Sequence, residues 1–390
     1  MGAPTIHSLR SFATTRSLNS CDSIIKAVSG LGFVQADPIR APARAQDLIL
    51  RQRVQGYRAG DLEQQYPRLP LSEDVLHVYG FLPSQHRQLL HPRPLSGHWQ
   101  QFLDGHASLR KSVLRFVQER GSVHPRTVEK ELGSDTCENG WGGQSSQTTM
   151  MLEALHLQGL LRIAKRESGQ RVYECAAGQG RSRQMPDHRR AEGLCRLLVG
   201  LYAPMPLRSL RQVLGAVRGP VTVTARDAIE RLLMSGELHR ERIDSEDWIW
   251  LDNETSALLA SDGGEARVRL LAPFDPVVWD RRRFALLWNW EYRFEAYTPV
   301  AKRKLGYYAL PLLFRDQVIG VANLSVREGT LDAELRFAYS RPREVAFRRG
   351  LEQELSSFQE FLGLCPQTRC HQQPPLVAGG DVDRHQSRST

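Results

Sequence analysis

Two consecutive stretches of the chain repeat one order of elements without repeating a sequence, and that order restricts the fold more than any other feature. Within 106–180, Leu109, Val113, Phe116 and Val117 fall at helical spacing over about 108–120, and Gly121 closes that helix. His124-Pro125-Arg126-Thr127 opens a short helix through Val128 and Leu132. A Gly-rich loop (133–143) follows, then a third helix over about 145–159 carrying Met151, Leu152, Leu155 and Leu157. Segments 160–163 and 171–174 flank a turn at Ser168-Gly169. Within 188–252 the order recurs: a helix through Leu194, Leu197, Leu198 and Leu201, a break at Pro204 and Pro206, helices over 207–214 and 223–234, and a hairpin ending in Trp248-Ile249-Trp250-Leu251. Three helices and a two-stranded wing make a winged helix-turn-helix, whose third helix is the one offered to a DNA major groove. Stretch 176–187 reads as the linker between the two units.

The flanks are different. In 1–105, Ser20-Cys21-Asp22-Ser23 caps a helix that Gly30 stops, an extended run 31–37 ends at Pro38, and a helix over about 42–54 starts on Pro42. Residues 266–362 predict strands at 267–271, 305–314, 318–326 and 331–339, with turns at Arg315-Asp316 and Glu328-Gly329. Leu351, Leu355, Phe358 and Leu362 mark a closing helix. The polar stretch 366–390 reads as a disordered tail.

The formal net charge is +9, and the basic residues are overwhelmingly arginine. Arginine suits phosphate, so a polyanionic partner is one reading and codon bias the other. The 6 cysteines form no Cys-x-x-Cys pair and offer no zinc spacing. Reduced structural cysteines, no apolar leader and no long apolar run lead to the expectation of a cytoplasmic protein without metal.

One short motif suggests chemistry. On a strand, alternate side chains share a face, so Gln35 and Asp37 project together, an amide beside a carboxylate. Arg44 and Arg51, two helical turns apart, and Arg53 follow on the next helix. The same residues are equally compatible with a turn at Asp37-Pro38, a satisfied glutamine and a solvated basic helix face. Trp279, Trp288 and Trp290 fit core packing better than base stacking.

Leu31-Gly32-Phe33-Val34-Gln35-Ala36-Asp37-Pro38-Ile39, Ala43-Arg44-Ala45 and 48–53 resemble the N-terminal signature of AlkZ-like (YcaQ-like) winged-helix DNA glycosylases. Leu271-Ala272-Pro273-Phe274-Asp275-Pro276, 278–281, Tyr292-Arg293-Phe294-Glu295-Ala296-Tyr297-Thr298-Pro299 and 301–308 resemble its C-terminal block. The resemblance implies an α+β fold: three tandem winged helices around a concave DNA-binding cleft, with a C-terminal antiparallel β subdomain and closing helix. It makes 1–105 a degenerate first winged helix carrying the catalytic motif. Gln35-Ala36-Asp37 matches the family's Gln-x-Asp branch, similar to enzymes that excise N7-alkylguanine and unhook interstrand crosslinks. Where histidines are expected after Ala45, Gln46 and Asp47 stand instead.

These likenesses imply a monofunctional glycosylase with Gln35 and Asp37 as catalytic residues, acting as a monomer on duplex DNA without a cofactor. No lysine lies near the motif, so a Schiff base is not expected. Arg44, Arg51, Arg53, Arg281, Lys302, Arg303 and Lys304 are the candidate phosphate contacts, with surface salt bridges as the plainer reading of each. The competing functions are a non-catalytic winged-helix transcription regulator and a DNA-stabilising protein with a decayed site.

Overall fold

The computed structural model describes residues 3–95, 97–139, 142–176, 185–217, 221–261, 263–365 and 368–376. One connectivity recurs three times among them. Helix Ile24–Leu31 leads to strand Val34–Gln35, helices Ala45–Arg51 and Asp61–Gln65, and the hairpin Leu71–Val75 with Tyr79–Pro83. The short first strand pairs antiparallel with the second strand of the hairpin, setting Val34 opposite Phe81 and Gln35 opposite Gly80. Helices Ala107–Arg120, Pro125–Leu132 and Gln147–Leu157 precede the hairpin Leu161–Glu167 with Gln170–Cys175. There a single bridge from Val123 to Tyr173 stands in for the first strand. Helices Asp187–Tyr202, Leu207–Ala216 and Val221–Met234 precede Leu238–Ile243 with Glu246–Leu251, and strand Met205–Pro206 pairs with the latter.

The expected helices of 106–180 and 188–252 are therefore present, within a few residues at each end. Two helices escape the periodic reading. The buried face of Ile6–Ser17 includes Ser11, Thr14 and Ser17, so its apolar stripe is broken. His98–Gly105 buries only Phe102 and Leu103. Helix Ile24–Leu31 runs past Gly30 and ends at Gly32, whose left-handed φ of 79° suits glycine. The expected linker 176–187 lies mostly outside the described residues.

A 5-stranded sheet forms the C-terminal part, in the order Val268–Leu270, Leu310–Phe314, Gln317–Arg327, Thr330–Phe337, Thr368–Gln372. The first three pairings are antiparallel and the last is parallel. That last strand corrects the expectation of a disordered tail from 366: backbone pairing to Leu331–Leu335 holds a polar segment that has few side chains to bury. The rest of the tail, 377–390, lies outside the described residues. Helix Val345–Leu362 crosses the first strand, with Gly350 against Val268. Among the described residues no helix is long and apolar enough to cross a membrane, and no group of three His, Cys, Asp or Glu residues is placed to hold a metal.

Residues 24–83 sit between the other parts, and buried polar groups join them. Arg166 Nε donates to both oxygens of Glu73, at 3.0 and 3.1 Å, and Tyr66 Oη donates to Ile163 O at 2.9 Å. Arg190 spans to the carbonyls of Leu89, Leu90 and Pro92. On the C-terminal side, Glu354 Oε1 accepts from Arg51, Gln52 and the Leu270 backbone at 2.8–2.9 Å.

Candidate active site

The ladder between the first strand and Tyr79–Pro83 extends one bond further, from Ala36 N to Tyr79 O at 2.9 Å, and then stops at Asp37. Pro38, which has no N–H, follows it. Asp37 Oδ1 accepts from Ile39 N at 2.9 Å, which closes a tight turn around the proline. Both sequence readings of Asp37 thus describe the same residue: one oxygen makes the turn, and Oδ2 meets no donor among the described residues. The carboxyl is half-buried, and desolvation raises its pKa against the pull of the Ile39 N–H.

Gln35 is half-buried, and its Oε1 is buried without a hydrogen-bond partner. Left so, a buried acceptor costs free energy, which marks it as a group awaiting a donor. The strand opposite comes unusually close because position 80 is glycine. A Cβ there would stand 2.2 Å from Val34 O and 3.0 Å from Gln35 Cα. Gly80→Ala is therefore expected to destabilise the protein by about 1–3 kcal/mol, the range for overpacking a core. It should also displace Gln35. Denaturant unfolding beside a base-release assay checks both effects.

Gln46 and Asp47 have separate duties. Gln46 is buried, and its Oε1 accepts from Asp37 N at 3.4 Å, so it supports the Asp37 turn from beneath. Asp47 accepts from Tyr57 Oη at 2.7 Å and Gly60 N at 3.1 Å, and anchors the turn before helix Asp61–Gln65. Burial raises its pKa, against the hydrogen bond from Tyr57.

Tyr308 was not singled out by motif or spacing. Its ring packs on Phe294 at 5.4 Å and Phe274 at 6.4 Å, and its hydroxyl is buried without a partner. Burial, and after it the charge of Asp37, push the phenol well above its ordinary range, which puts the two groups in one electrostatic neighbourhood. Tyr308 also lines a cleft of about 1010 Å³ between segment 40–42 and the C-terminal sheet. Arg40, Arg303, Lys304, Arg327 and Arg336 line this cleft against the carboxylates of Asp332 and Glu334. Asp37 is not among the residues that line it; the chain reaches the lining three positions later, at Arg40.

The expected phosphate contacts divide sharply. Helix Ala45–Arg51 begins three residues later than its sequence suggests, and all 7 of its residues are buried. Arg51 pairs with Glu354 at 2.9 Å and lies 3.6 Å over the Phe358 ring. Arg53 is 2% exposed and pairs with Asp275 at 2.7 Å. Neither can reach DNA, and the basic helix face expected from their spacing does not exist. Arg281 donates to Val278 O at 2.6 Å and Pro273 O at 2.9 Å, and lies over Tyr292, so it too is occupied. Arg44 is paired with Glu63. Lys302 and Lys304 are exposed, and Arg303 and Lys304 line the cleft.

The helix expected to enter the major groove from 106–180 is also unavailable to DNA: Gln147–Leu157 has no exposed residue, and 7 of its 11 are buried. Its counterpart Val221–Met234 exposes Asp227 and Glu230 beside Arg226 and Arg231, a face of mixed sign. The tryptophans pack as expected, with Trp279 stacked 5.0 Å from Tyr202 and Trp288 4.9 Å from Phe284.

A family model described as DNA glycosylase AlkZ-like matches residues 28–361. The fold is similar to that of the solved Streptomyces sahachiroi DNA glycosylase AlkZ, at 14% sequence identity and a TM-score of 0.65, over 95% of this chain and 100% of that one.

Proposed function

Since the chain belongs to the AlkZ-like DNA glycosylase family and is a DNA glycosylase, we propose that its substrates are purines alkylated at N7, guanine above all, in monoadducts and in interstrand crosslinks. We assign the catalytic roles to Asp37 and Gln35 and read the three repeated units as winged helices. The observation that supports the assignment is the Asp37 carboxylate, fixed through one oxygen and without a donor at the other among the described residues, three positions before Arg40, which with Arg303 and Lys304 lines the cleft.

An N7-alkylated guanine carries positive charge and leaves as a neutral base. Its C1′–N9 bond breaks with the electron pair moving to the base, and the sugar takes on oxocarbenium character. A carboxylate with a free oxygen stabilises that charge. Water adds to C1′ and passes its proton to Asp37 Oδ2. The unpartnered Gln35 Oε1 accepts a hydrogen bond from that water or from the deoxyribose. A base tied to the opposite strand cannot be extruded into a closed pocket. An open cleft beside the carboxylate accommodates it in place.

The test is release of 7-methylguanine from duplex DNA, followed by alkali to reveal abasic sites, with monoadducted and crosslinked duplexes compared. Base release without strand cutting before alkali is expected. Tight binding with no release would favour the regulator. Lys302, Arg303 and Lys304 are proposed to contact phosphate. Replacing any one by alanine should reduce the slope of log affinity against log salt by about 0.9, and an unchanged slope would remove that residue from the interface.

A further inference from the structure

The segment between helix Arg281–Trp288 and strand Leu310–Phe314 carries apolar surface where water-facing loops ordinarily carry polar groups. Tyr297 is 82% exposed and Val300 76% exposed. Two such side chains within four residues are not an accident of a loose chain, because the loop is braced throughout. Glu295, itself buried, accepts at one oxygen from the backbone N–H groups of Lys304, Leu305 and Gly306, at 2.9, 2.7 and 3.2 Å. Those bonds tie the start of the loop to its end. Across it, Arg303 Nε donates to Thr298 O at 2.8 Å, and Lys302 N to Pro299 O at 2.9 Å. At its root the Phe294 ring packs 4.9 Å from Phe274 and 5.4 Å from Tyr308. Tyr297 stands 6.1 Å from Phe294 in turn. The tip is thus an exposed ring on a rigid mount, joined through Phe294 to Tyr308 in the wall of the cleft. Its shoulders are cationic, with Lys302, Arg303 and Lys304 on one side and Arg293 on the other; against them stand Glu291, paired with Arg293, and the buried Glu295.

Apolar side chains held out between basic ones match the way proteins enter a DNA groove. The cations meet phosphates while the wedge unstacks a base step. We propose that residues 296–303 form such a wedge: Tyr297 inserts into the base stack next to the lesion, and Lys302, Arg303 and Lys304 hold the flanking phosphates. This rests on the glycosylase reading of Asp37 and adds to it how the glycosidic bond is brought within reach of that carboxylate. The base need not leave the duplex; the step beside it has only to open.

The test uses the full chain and a duplex with 2′-fluoro-7-methylguanine, which keeps its glycosidic bond, next to 2-aminopurine. Binding of the parental protein should raise 2-aminopurine fluorescence as that base unstacks. Tyr297→Ala should abolish the rise, and Tyr297→Phe should retain it. In base release from a cleavable duplex, Tyr297→Ala should lower kcat/KM roughly tenfold, the scale of one lost aromatic stack. On single-stranded DNA, where there is no stack to open, it should match the parent. Equal fluorescence and equal duplex kcat/KM for Tyr297→Ala and the parent would overturn the wedge while leaving Asp37 in place. A parental protein that raises the fluorescence yet releases no base would overturn the catalytic assignment and leave the wedge standing. The side chain is exposed, so equal thermal unfolding of the variants is expected and separates this test from misfolding.

Discussion

Asp37→Asn is expected to slow base release by about 2–4 kcal/mol of transition-state stabilisation, roughly 30- to 1000-fold, while leaving the fold and DNA affinity intact. Asparagine keeps an oxygen for the Ile39 N–H, so the turn at Pro38 survives, and what is lost is the charge. The folded protein raises the pKa of this carboxyl by desolvation. A raised native pKa means that the folded state binds this proton more tightly than the unfolded chain. The resulting stabilisation is fully present below the ordinary carboxylate pKa and is lost as pH rises through the higher native value. At neutral pH the ionised Asp37 therefore costs stability, and the asparagine variant should unfold no more readily than the parent. The rate has the opposite dependence, because only the ionised form supports the sugar cation. With spontaneous base loss subtracted, the parental rate should fall on the acid side of a pKa above the usual aspartate value. The variant's residual rate should be flat across that limb. A variant that keeps the parental rate, or the parental acid limb, would take Asp37 out of the mechanism.

The largest expected effect on stability belongs to Asp275→Ala. Arg53 is enclosed, and each nitrogen of its guanidinium group is used. Nε donates to Ser17 O at 2.7 Å, Nη1 to Ile49 O at 2.8 Å and Asp275 Oδ2 at 2.7 Å, and Nη2 to Ser17 Oγ at 3.1 Å and Asp275 Oδ1 at 3.0 Å. Asp275 also caps helix Pro276–Trp279 through Val277 N. Removing the carboxylate leaves a buried cation without its counter-charge, a loss of about 3–5 kcal/mol. That is a large share of the roughly 5–15 kcal/mol by which domains are stable. The measurement is denaturant unfolding of Asp275→Ala, with Asp275→Asn as the milder comparison. Alanine costing under about 1 kcal/mol would mean that Arg53 finds other acceptors or that water reaches it.

The fold was most readable where apolar spacing and turn chemistry agree. Leu109, Val113 and Val117 give a clean stripe for one helix, and the turns at Arg315-Asp316 and Glu328-Gly329 coincide with the positive φ of Arg315, Glu328 and Gly329. It was least readable where polar side chains are buried. Ser11, Thr14 and Ser17 hide one helix, and Thr368–Gln372 is a strand held by backbone pairing with almost no apolar side chain. At the site, Gln35 and Asp37 could be named from their spacing and their family likeness. Gln46 stands out in the sequence as a departure from the family pattern and Tyr308 lies within the C-terminal block, but their places, like that of Gly80, come only from the tertiary fold. The arginines misled most. Charge and helical spacing alone do not separate a guanidinium facing DNA from one that staples two parts of a protein. Arg51, Arg53, Arg190 and Arg283 are all buried. These guanidinium groups serve as internal mortar and are not part of the surface that meets nucleic acid.

The enclosure of helices Ala45–Arg51 and Gln147–Leu157 has a consequence for what this molecule can discriminate. Base identity is read by side chains laid along the floor of a groove, and in neither helix is a residue fully exposed for that purpose. What remains to touch DNA is the exposed face of Val221–Met234, where Asp227 and Glu230 offset Arg226 and Arg231, together with the loop of cations and ring. A surveillance enzyme has no use for a preferred address, because damage falls anywhere in a genome. Turning Gln147–Leu157 inward takes away one of the elements with which such an address would be read.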